Sequence, residues 1–268
     1  VGRDAQPARV RLLMWAGGRY ESVAERIAVV AGETVAAAER RRPLDGTALV
    51  DLACGTGSAA LAAAARGAVV TGVDLTPELV AIAERKAASA GHDITWVVAD
   101  ATETTLPDAA FDTAVSNMGV IFVEPRRQVA EIARVLKPAG VLAFSSWVRT
   151  DGNPLFDPIV EALGPPPDRG FTPDQWGDPT IARERLAADF TDVEIDDGTL
   201  VWAFDSLDAA RHFVRHESPM HVDLFGRLNG DQQDRLLAAF TDALTPYVGD
   251  DGGVRFDAPY AIITATRR

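Results

Sequence analysis

Five short runs rich in valine, isoleucine and other apolar residues alternate with alanine-rich stretches between residues 47 and 147. The runs cover residues 47–53, 68–74, 94–100, 111–117 and 140–147. Most of the stretches between them start at a polar residue and end at a glycine, which is typical of helices. Strand–helix alternation of this kind builds a mostly parallel sheet with helices on both of its faces. The sequence therefore predicts an α/β fold.

The regions on either side of this core carry further elements. Residues 1–45 include apolar residues at helical spacing, which predicts one or two N-terminal helices. Residues 149–268 contain two more strand candidates, 193–205 and 260–267, with predicted helices between them. We therefore expect one domain with N-terminal helices over residues 1–45, a core over residues 46–148 and further elements over residues 149–268. Its sheet would have seven strands, with a helical cap inserted near the C-terminus.

Composition excludes several classes of function. The chain carries 39 acidic and 26 basic residues, a formal net charge of −13 that would repel a phosphate backbone, so nucleic acid is not an expected partner. A single cysteine provides no disulfide framework and no thiol-rich metal site, and we expect no bound metal. No apolar stretch is long enough to cross a bilayer, and the first residues lack the apolar region of a signal peptide. We expect a soluble cytoplasmic protein without membrane contact, and the oligomeric state stays open.

A glycine-rich turn follows the first run of the core. Gly55, Gly57 and Ala60 fit the G-x-G-x-x-G/A pattern of a dinucleotide site, and Asp74 ends the next run at about the expected distance. Asp51 lies immediately ahead of the glycines, where its charge would oppose a pyrophosphate. The same charge suits a ligand with a cationic sulfonium and an ammonium group. This combination favours S-adenosylmethionine over a nicotinamide dinucleotide.

A third acid, Asp100, ends the third run of the core. A carboxylate at this place can accept a hydrogen bond from an adenine amino group, while the N–H of Ala101 reaches a ring nitrogen. The alternative is that Asp100 caps a short helix that follows it. Because open parallel sheets bind ligands at the carboxyl ends of their strands, three acids at three such ends favour a ligand site.

The segments "VDLACGTG", "VTGVD", "ADATETTLP" and "ARVLKPAG" resemble the class I S-adenosylmethionine-dependent methyltransferases, which have a Rossmann-like fold. The chain is most similar to the quinone-biosynthesis type and its small-molecule relatives, and the resemblance extends over residues 45–148. It implies that residues 46–148 bind the cofactor and that residues 149–268 supply the substrate side. It implies that Asp51 lies near the methionine amino group and that Asp74 binds both ribose hydroxyls. It also implies the remaining cofactor contacts, which are Ala53, Gly55 and Gly57 at the methionine, Leu75 at the adenine face, and Asp100 and Ala101 at the adenine edge.

Four further residues are candidates at the cofactor on the same resemblance. Ser116 and Asn117 follow the fourth strand, where the family places the methionine and the substrate entrance, although Asn117 can equally be an ordinary loop residue. Arg19 and Tyr20 precede a helix that relatives fold over the cofactor, and a guanidinium suits the methionine carboxylate. Surface solvation of Arg19 and core packing of Tyr20 are alternative interpretations.

The predicted reaction needs little acid–base chemistry, because the methyl group on a sulfonium is already activated and the enzyme has to align an acceptor and exclude water. We expect a small, apolar or aromatic acceptor. His212, His216 and His221 are weak candidates for a general base, and solvated or capping roles are favoured for them. Two other functions stay open: a protein that uses the bound cofactor for a non-methylating reaction or for regulation, and a nicotinamide-dependent reductase.

Overall fold

A computed structural model of the protein describes residue 15 and residues 17–165 and 170–268. The chain divides into two compact units. The larger, which we call the sheet unit, comprises Ile27–Arg149, Gly170–Gly198 and Pro259–Arg268. The smaller, which we call the helical unit, comprises the described parts of Val1–Arg26, Thr150–Arg169 and Thr199–Ala258. The prediction of one domain, with residues 149–268 on the substrate side, stays a prediction.

The sheet unit contains most of a seven-stranded sheet in the order β3-β2-β1-β4-β5-β7-β6, and the end of β6 and the start of β7 belong to the helical unit. The pairs within β3-β2-β1-β4-β5 are parallel, and β7 is antiparallel to β5. The predicted α/β fold with a mostly parallel, seven-stranded sheet is therefore confirmed. The strands are β1 (Ala48–Leu52), β2 (Val69–Asp74), β3 (Thr95–Val98), β4 (Phe111–Asn117), β5 (Leu136–Trp147), β6 (Phe190–Phe204) and β7 (Val254–Arg267).

Helices of the sheet unit cover both faces of the sheet, because successive strand residues point to opposite faces and both faces carry apolar side chains. Leu49, Val115 and Val141 belong to a core cluster that includes alanines of the helices on the same side. On the other face, the ring of Phe144 makes an edge contact with Trp176, with the ring centroids 5.1 Å apart. The helices of this unit are α2 (Ala28–Arg41), α3 (Ser58–Ala64), α4 (Pro77–Ala90), α5 (Pro125–Val135) and α7 (Pro179–Leu186).

Helix α5 ends earlier than the sequence predicts, and strand β5 begins earlier. The side chain of Glu124 caps the start of α5 by accepting hydrogen bonds from the backbone N–H groups of Arg126 and Arg127. At its other end, the N–H groups of Ala109 and Ala110 donate to the carbonyls of the last helical turn at 2.8 and 2.9 Å. The segment leading into β4 therefore bonds to the last turn of the helix, and Phe111 of β4 then pairs with Leu136, so β5 begins directly where α5 ends.

The helical unit contains the remaining helices. Three of them lie after residue 205, where the sequence predicts helices between the two C-terminal strands. A five-residue π-helical turn, Phe213–Glu217, follows directly on the first helix of that region. The rings of Trp202, Phe204 and Phe213 lie 5.3–6.2 Å apart and are buried, so they form part of the core of this unit. No helix among the described residues combines the length and the apolar character needed to span a membrane. The helices are α1 (Tyr20–Arg26), α6 (Asp157–Leu163), α8 (Leu207–His212), α9 (Pro219–Gly226) and α10 (Gly230–Leu244).

Candidate functional site

Three acidic residues follow or end neighbouring parallel strands of the sheet unit. Asp51 is the penultimate residue of β1, Asp74 is the last residue of β2, and Asp100 lies two residues beyond the end of β3. Because these three strands are adjacent in the sheet, their carboxyl ends lie along one edge. This edge is where an open α/β sheet binds its ligand.

Asp51 is fully buried and only half satisfied. Its Oδ2 accepts a hydrogen bond from the Ala60 N–H at 2.8 Å, so the carboxylate binds an amide at the start of α3. Its Oδ1 is buried without a hydrogen-bond partner. Burial, with a further contribution from the charge of Asp74, raises the pKa of Asp51 to about 8. A cationic donor placed beside Oδ1 would satisfy this oxygen and favour the ionised form.

Asp74 is held in place by the glycine turn and by the start of the next helix. Its Oδ2 accepts from the Gly55 N–H and its Oδ1 accepts from the Thr76 N–H, both at 2.8 Å. Burial outweighs these hydrogen bonds and raises the pKa of Asp74. Since an ionised carboxylate offers about four acceptor positions, the side chain can still bind a vicinal diol.

The turn between β1 and α3 has an unusual backbone that brings peptide groups close to the two carboxylates. Ala53, Gly55 and Gly57 all have positive φ angles, of 53°, 53° and 82°. A Cβ atom on Gly57 would lie 2.8 Å from the Trp96 ring, and one on Gly119 would lie 2.4 Å from the Ala53 carbonyl oxygen. Glycine at these two positions therefore lets the turn pack between Trp96 of β3 and the loop after β4.

The turn also brings the thiol of Cys54 close to the two acidic side chains. Burial raises the pKa of the Cys54 thiol, and the charges of Asp51 and Asp74 raise it further. The thiol therefore stays protonated at neutral pH. When ionised, the carboxylates of Asp51 and Asp74 would repel a pyrophosphate and attract a cation.

The loop after β3 forms a tight turn rather than the start of a helix. The Oδ1 of Asp100 accepts hydrogen bonds from the N–H and the hydroxyl of Thr102, both at 2.8 Å. Ala101 is buried, and its carbonyl accepts a hydrogen bond from the Gln128 side chain at 3.1 Å. Leu75, which follows Asp74, is half-buried. The helix cap considered as the alternative role of Asp100 is therefore wrong, because the residue closes a turn.

Ser116 and Asn117 both use their side chains within the sheet unit. The Ser116 hydroxyl is buried and accepts from the Val120 N–H at 3.1 Å. The Asn117 amide donates to the carbonyl of Ile27 at 3.3 Å, and its oxygen accepts from the Ser145 hydroxyl at 2.8 Å. These bonds connect the end of β4 to β5 and to the start of α2. The predicted cofactor contacts of both residues stay predictions.

Arg19 and Tyr20 lie in the helical unit. The Arg19 N–H donates to the Glu217 carbonyl at 2.8 Å, and its guanidinium lies 3.6 Å from the carboxylate of the same residue. The Tyr20 ring makes an edge contact with Trp15, with centroids 6.1 Å apart. Their predicted contact with a methionine carboxylate stays a prediction.

The three histidines of the helical unit have different environments. His212 and His216 are exposed, with ring centroids 4.9 Å apart, as their spacing predicts, and His212 lies 3.7 Å from Glu217. A solvated role is wrong for His221, which is buried: its Nδ1 lies 2.6 Å from the Ser218 hydroxyl and its Nε2 lies 2.8 Å from the Leu155 carbonyl. Burial lowers the pKa of His221. No cluster of three potential metal ligands occurs in the part of the chain that the structure describes.

Sequence reasoning missed one group of residues next to this site. Gln128, Glu131 and Arg134 on α5 contact the loop after β3, and none of them was singled out. Their signal in the sequence is polar residues at i, i+3 and i+6 of a helix, which form one face. That pattern normally indicates a solvent-exposed face, whereas here Gln128 and Glu131 are buried.

Comparison with known proteins identifies related chains. Residues 50–144 match the family described as a methyltransferase domain. An uncharacterized protein of Mycobacterium tuberculosis is 29% identical over 99% of this chain and 97% of its own length. A demethylmenaquinone methyltransferase of Clavibacter sepedonicus is 38% identical over 46% of this chain and 51% of its own length. The crystal structure of the YcgJ protein of Bacillus subtilis has the same fold, with a TM-score of 0.60 at 17% identity over 88% of this chain and 98% of that one.

Proposed function

We propose, from the premise that this chain is a class I S-adenosylmethionine-dependent methyltransferase, that it binds this cofactor at the strand ends of the sheet unit and methylates a small, apolar or aromatic metabolite. The observation that carries the proposal is the unpaired, fully buried Oδ1 of Asp51. A buried oxygen without a partner is costly, and a ligand that brings a charged donor to it removes the cost. The amino group of the cofactor's methionine is such a donor.

A dinucleotide fits this site less well. In dinucleotide sites the amides at the helix start bind the pyrophosphate. In this protein the Ala60 N–H at the start of α3 already donates to the Asp51 carboxylate. A pyrophosphate at this helix start would therefore lie close to the Asp51 carboxyl group. If ionised, Asp51 would repel the pyrophosphate, and to avoid that repulsion it would have to keep its proton.

The other residues of the site fit an adenosine. Asp74 is held by two backbone amides with acceptor capacity remaining, which suits the two ribose hydroxyls. Leu75 would pack on the face of the adenine, while Asp100 and Ala101 would bind its edge. The backbone of the turn at Ala53, Gly55 and Gly57 would lie against the methionine, because its positive φ angles bring peptide groups close to the carboxylates.

Bound S-adenosylmethionine supplies a methyl group on a positively charged sulfur, which is transferred directly to the acceptor. The residues of this chain therefore have to bind and orient, and no general base is part of the proposal. The likeness to a demethylmenaquinone methyltransferase, over about half of that protein, supports an acceptor of apolar character.

Calorimetry with S-adenosylhomocysteine tests the cofactor site. The wild type is expected to bind it, and Asp74→Ala is expected to weaken binding by about 100-fold, because two hydrogen bonds to a charged acceptor are lost. Asp93→Asn is the matched control, since Asp93 is an exposed acid of the same unit. Wild-type affinity in Asp74→Ala, or tighter binding of NADH than of S-adenosylhomocysteine, would refute the proposed site.

Methyl transfer itself needs a separate measurement. The protein is incubated with methyl-labelled S-adenosylmethionine and a panel of phenols, amines and quinols, and labelled product is measured together with released S-adenosylhomocysteine. We expect a labelled product with at least one apolar or aromatic acceptor. Cofactor binding without release of S-adenosylhomocysteine across the panel would favour a non-methylating use of the cofactor.

A further inference from the structure

One face of α5 holds the loop that follows β3. Gln128, Glu131 and Arg134 are spaced at i, i+3 and i+6, so their side chains leave the helix on one side. All three donate to or accept from residues between 101 and 106. These residues lie 27 or 28 positions earlier in the sequence but are adjacent in space. This loop contains Asp100 and Ala101, which the proposed function places at the edge of the adenine.

Gln128 makes the contact nearest to that edge. Its side chain is 1% exposed, and its Nε2 donates to the Ala101 carbonyl at 3.1 Å. Its Oε1 is buried without a hydrogen-bond partner. The orientation of the amide follows from this contact, because the flipped amide would place two oxygens against each other.

An unsatisfied buried acceptor is costly, so stability alone does not explain glutamine at this position. A leucine or methionine has a similar size and would occupy this buried position without an unpaired oxygen. What glutamine adds is a donor to the carbonyl of Ala101, which restricts the backbone of this residue on the side away from Asp100. Residues that break a local rule of this kind are found at functional sites.

The other two side chains hold the rest of the loop. The Oε1 of Glu131 accepts from the N–H and the hydroxyl of Thr104 at 2.8 and 2.6 Å. The hydrogen bond from Arg134 lowers the pKa of Glu131 to about 2, so the Glu131 carboxylate stays ionised. The Arg134 guanidinium also donates to the Leu106 carbonyl at 2.7 Å. The loop is therefore anchored at three points, of which only the Ala101 contact lies next to the predicted ligand.

We propose that Gln128 is a positioning residue that sets the protein's selectivity for adenine: by holding the Ala101 carbonyl, it restrains the backbone of Ala101 and so the direction of the N–H of this residue beside Asp100. This inference rests on the proposed function. Adenine presents a donor at its 6-amino group and an acceptor at the adjacent ring nitrogen, whereas hypoxanthine presents the reverse pattern. A carboxylate and a peptide N–H held in one geometry accept the first pattern and reject the second.

The test compares two nucleosides rather than activity. Affinities for S-adenosylhomocysteine and S-inosylhomocysteine are measured by calorimetry in the wild type, in Gln128→Leu and in Arg126→Ala, a control at an exposed position of the same helix. We expect the wild type and the control to prefer the adenosyl compound by about 100-fold or more. In Gln128→Leu the preference is expected to fall about tenfold or more, while the melting temperature stays within a few degrees of the wild type.

The outcomes separate this inference from the proposed function. An unchanged ratio of the two affinities in Gln128→Leu would overturn the positioning role, whether both affinities stay the same or both fall by the same factor. A wild type that binds neither compound would overturn the proposed function and this inference with it. If Gln128→Leu does not fold, Gln128→Met gives the same comparison, because its unbranched thioether side chain has a similar length but cannot donate to the Ala101 carbonyl.

Discussion

Asp51→Asn is expected to make the protein more stable at alkaline pH while it weakens cofactor binding. Asp51 is fully buried, and its pKa is raised from 3.8 to about 8. Between these two values the folded protein keeps a proton on Asp51 that the unfolded chain has lost. The free energy of unfolding therefore falls as pH rises from about 4 to about 8, by up to about 1.4 kcal/mol per pH unit from this group.

The size of the effect follows from the pKa shift and from the hydrogen bonds. A shift of about four units corresponds to about 6 kcal/mol of destabilisation once Asp51 is ionised. Asparagine keeps an oxygen for the Ala60 N–H but places an unpaired amide where Oδ1 lies, which costs about 1–3 kcal/mol. The variant is therefore expected to gain about 3–5 kcal/mol over the wild type above pH 8 and clearly less at pH 5.

Urea unfolding of both proteins at pH 5, 7 and 9 measures this difference, and calorimetry with S-adenosylmethionine measures the loss of binding. Asp93→Asn serves as the control, because an exposed aspartate should change neither quantity. A stability difference that does not change with pH would show that Asp51 titrates as an ordinary carboxyl. A variant that is less stable than the wild type at pH 9 would refute the argument from burial.

Three further predictions concern residues other than Asp51 and Asp74. Gly57→Ala is expected to cost about 2–4 kcal/mol in urea unfolding, because the φ of 82° and a Cβ 2.8 Å from the Trp96 ring both oppose a side chain, and a cost below about 0.5 kcal/mol would contradict this. Burial lowers the pKa of His221 below 6.5, so the folded protein excludes a proton that the unfolded chain binds, and stability is lost as pH falls below 6.5. His221→Gln should flatten this part of the profile of unfolding free energy against pH, and an unchanged profile would contradict the prediction. The Tyr260 hydroxyl donates to Glu33 and its pKa is raised to about 12, so a spectrophotometric titration should show one late-titrating tyrosine that is absent in Tyr260→Phe, a variant expected to lose about 1 kcal/mol.

Much of the sheet unit can be predicted from the sequence, because its signals are local. The strand runs, the glycine turn and the helix starts depend on neighbouring residues, and the structure has strands and helices close to the expected positions. The largest differences occur at strand starts: β5 begins at Leu136 and β7 at Val254, both earlier than predicted. These residues carry weak strand signals and become strands because a neighbouring segment pairs with them.

The candidate site was predictable in part for the same reason. Asp51, Asp74 and Asp100 stand out because an acid after an apolar run is visible in the sequence, and parallel strands bring such residues to one edge. Gln128 was not visible in this way, since its contact with Ala101 joins residues 27 positions apart. His221 resembles an exposed helix residue in sequence, yet it is buried between Ser218 and the Leu155 carbonyl.

By itself, the sequence determined the strand–helix alternation, the turn that needs glycine, and the acids at the strand ends, because these features depend on the backbone preferences and polarity of neighbouring residues. Only the tertiary structure decided the strand order β3-β2-β1-β4-β5-β7-β6 and the protonation of the buried acids. The order depends on pairing between distant segments, and the raised pKa of Asp51 depends on how completely other elements exclude water from it. Burial is a property of the whole fold, so a carboxylate in a sequence has no definite charge until the chain around it is packed.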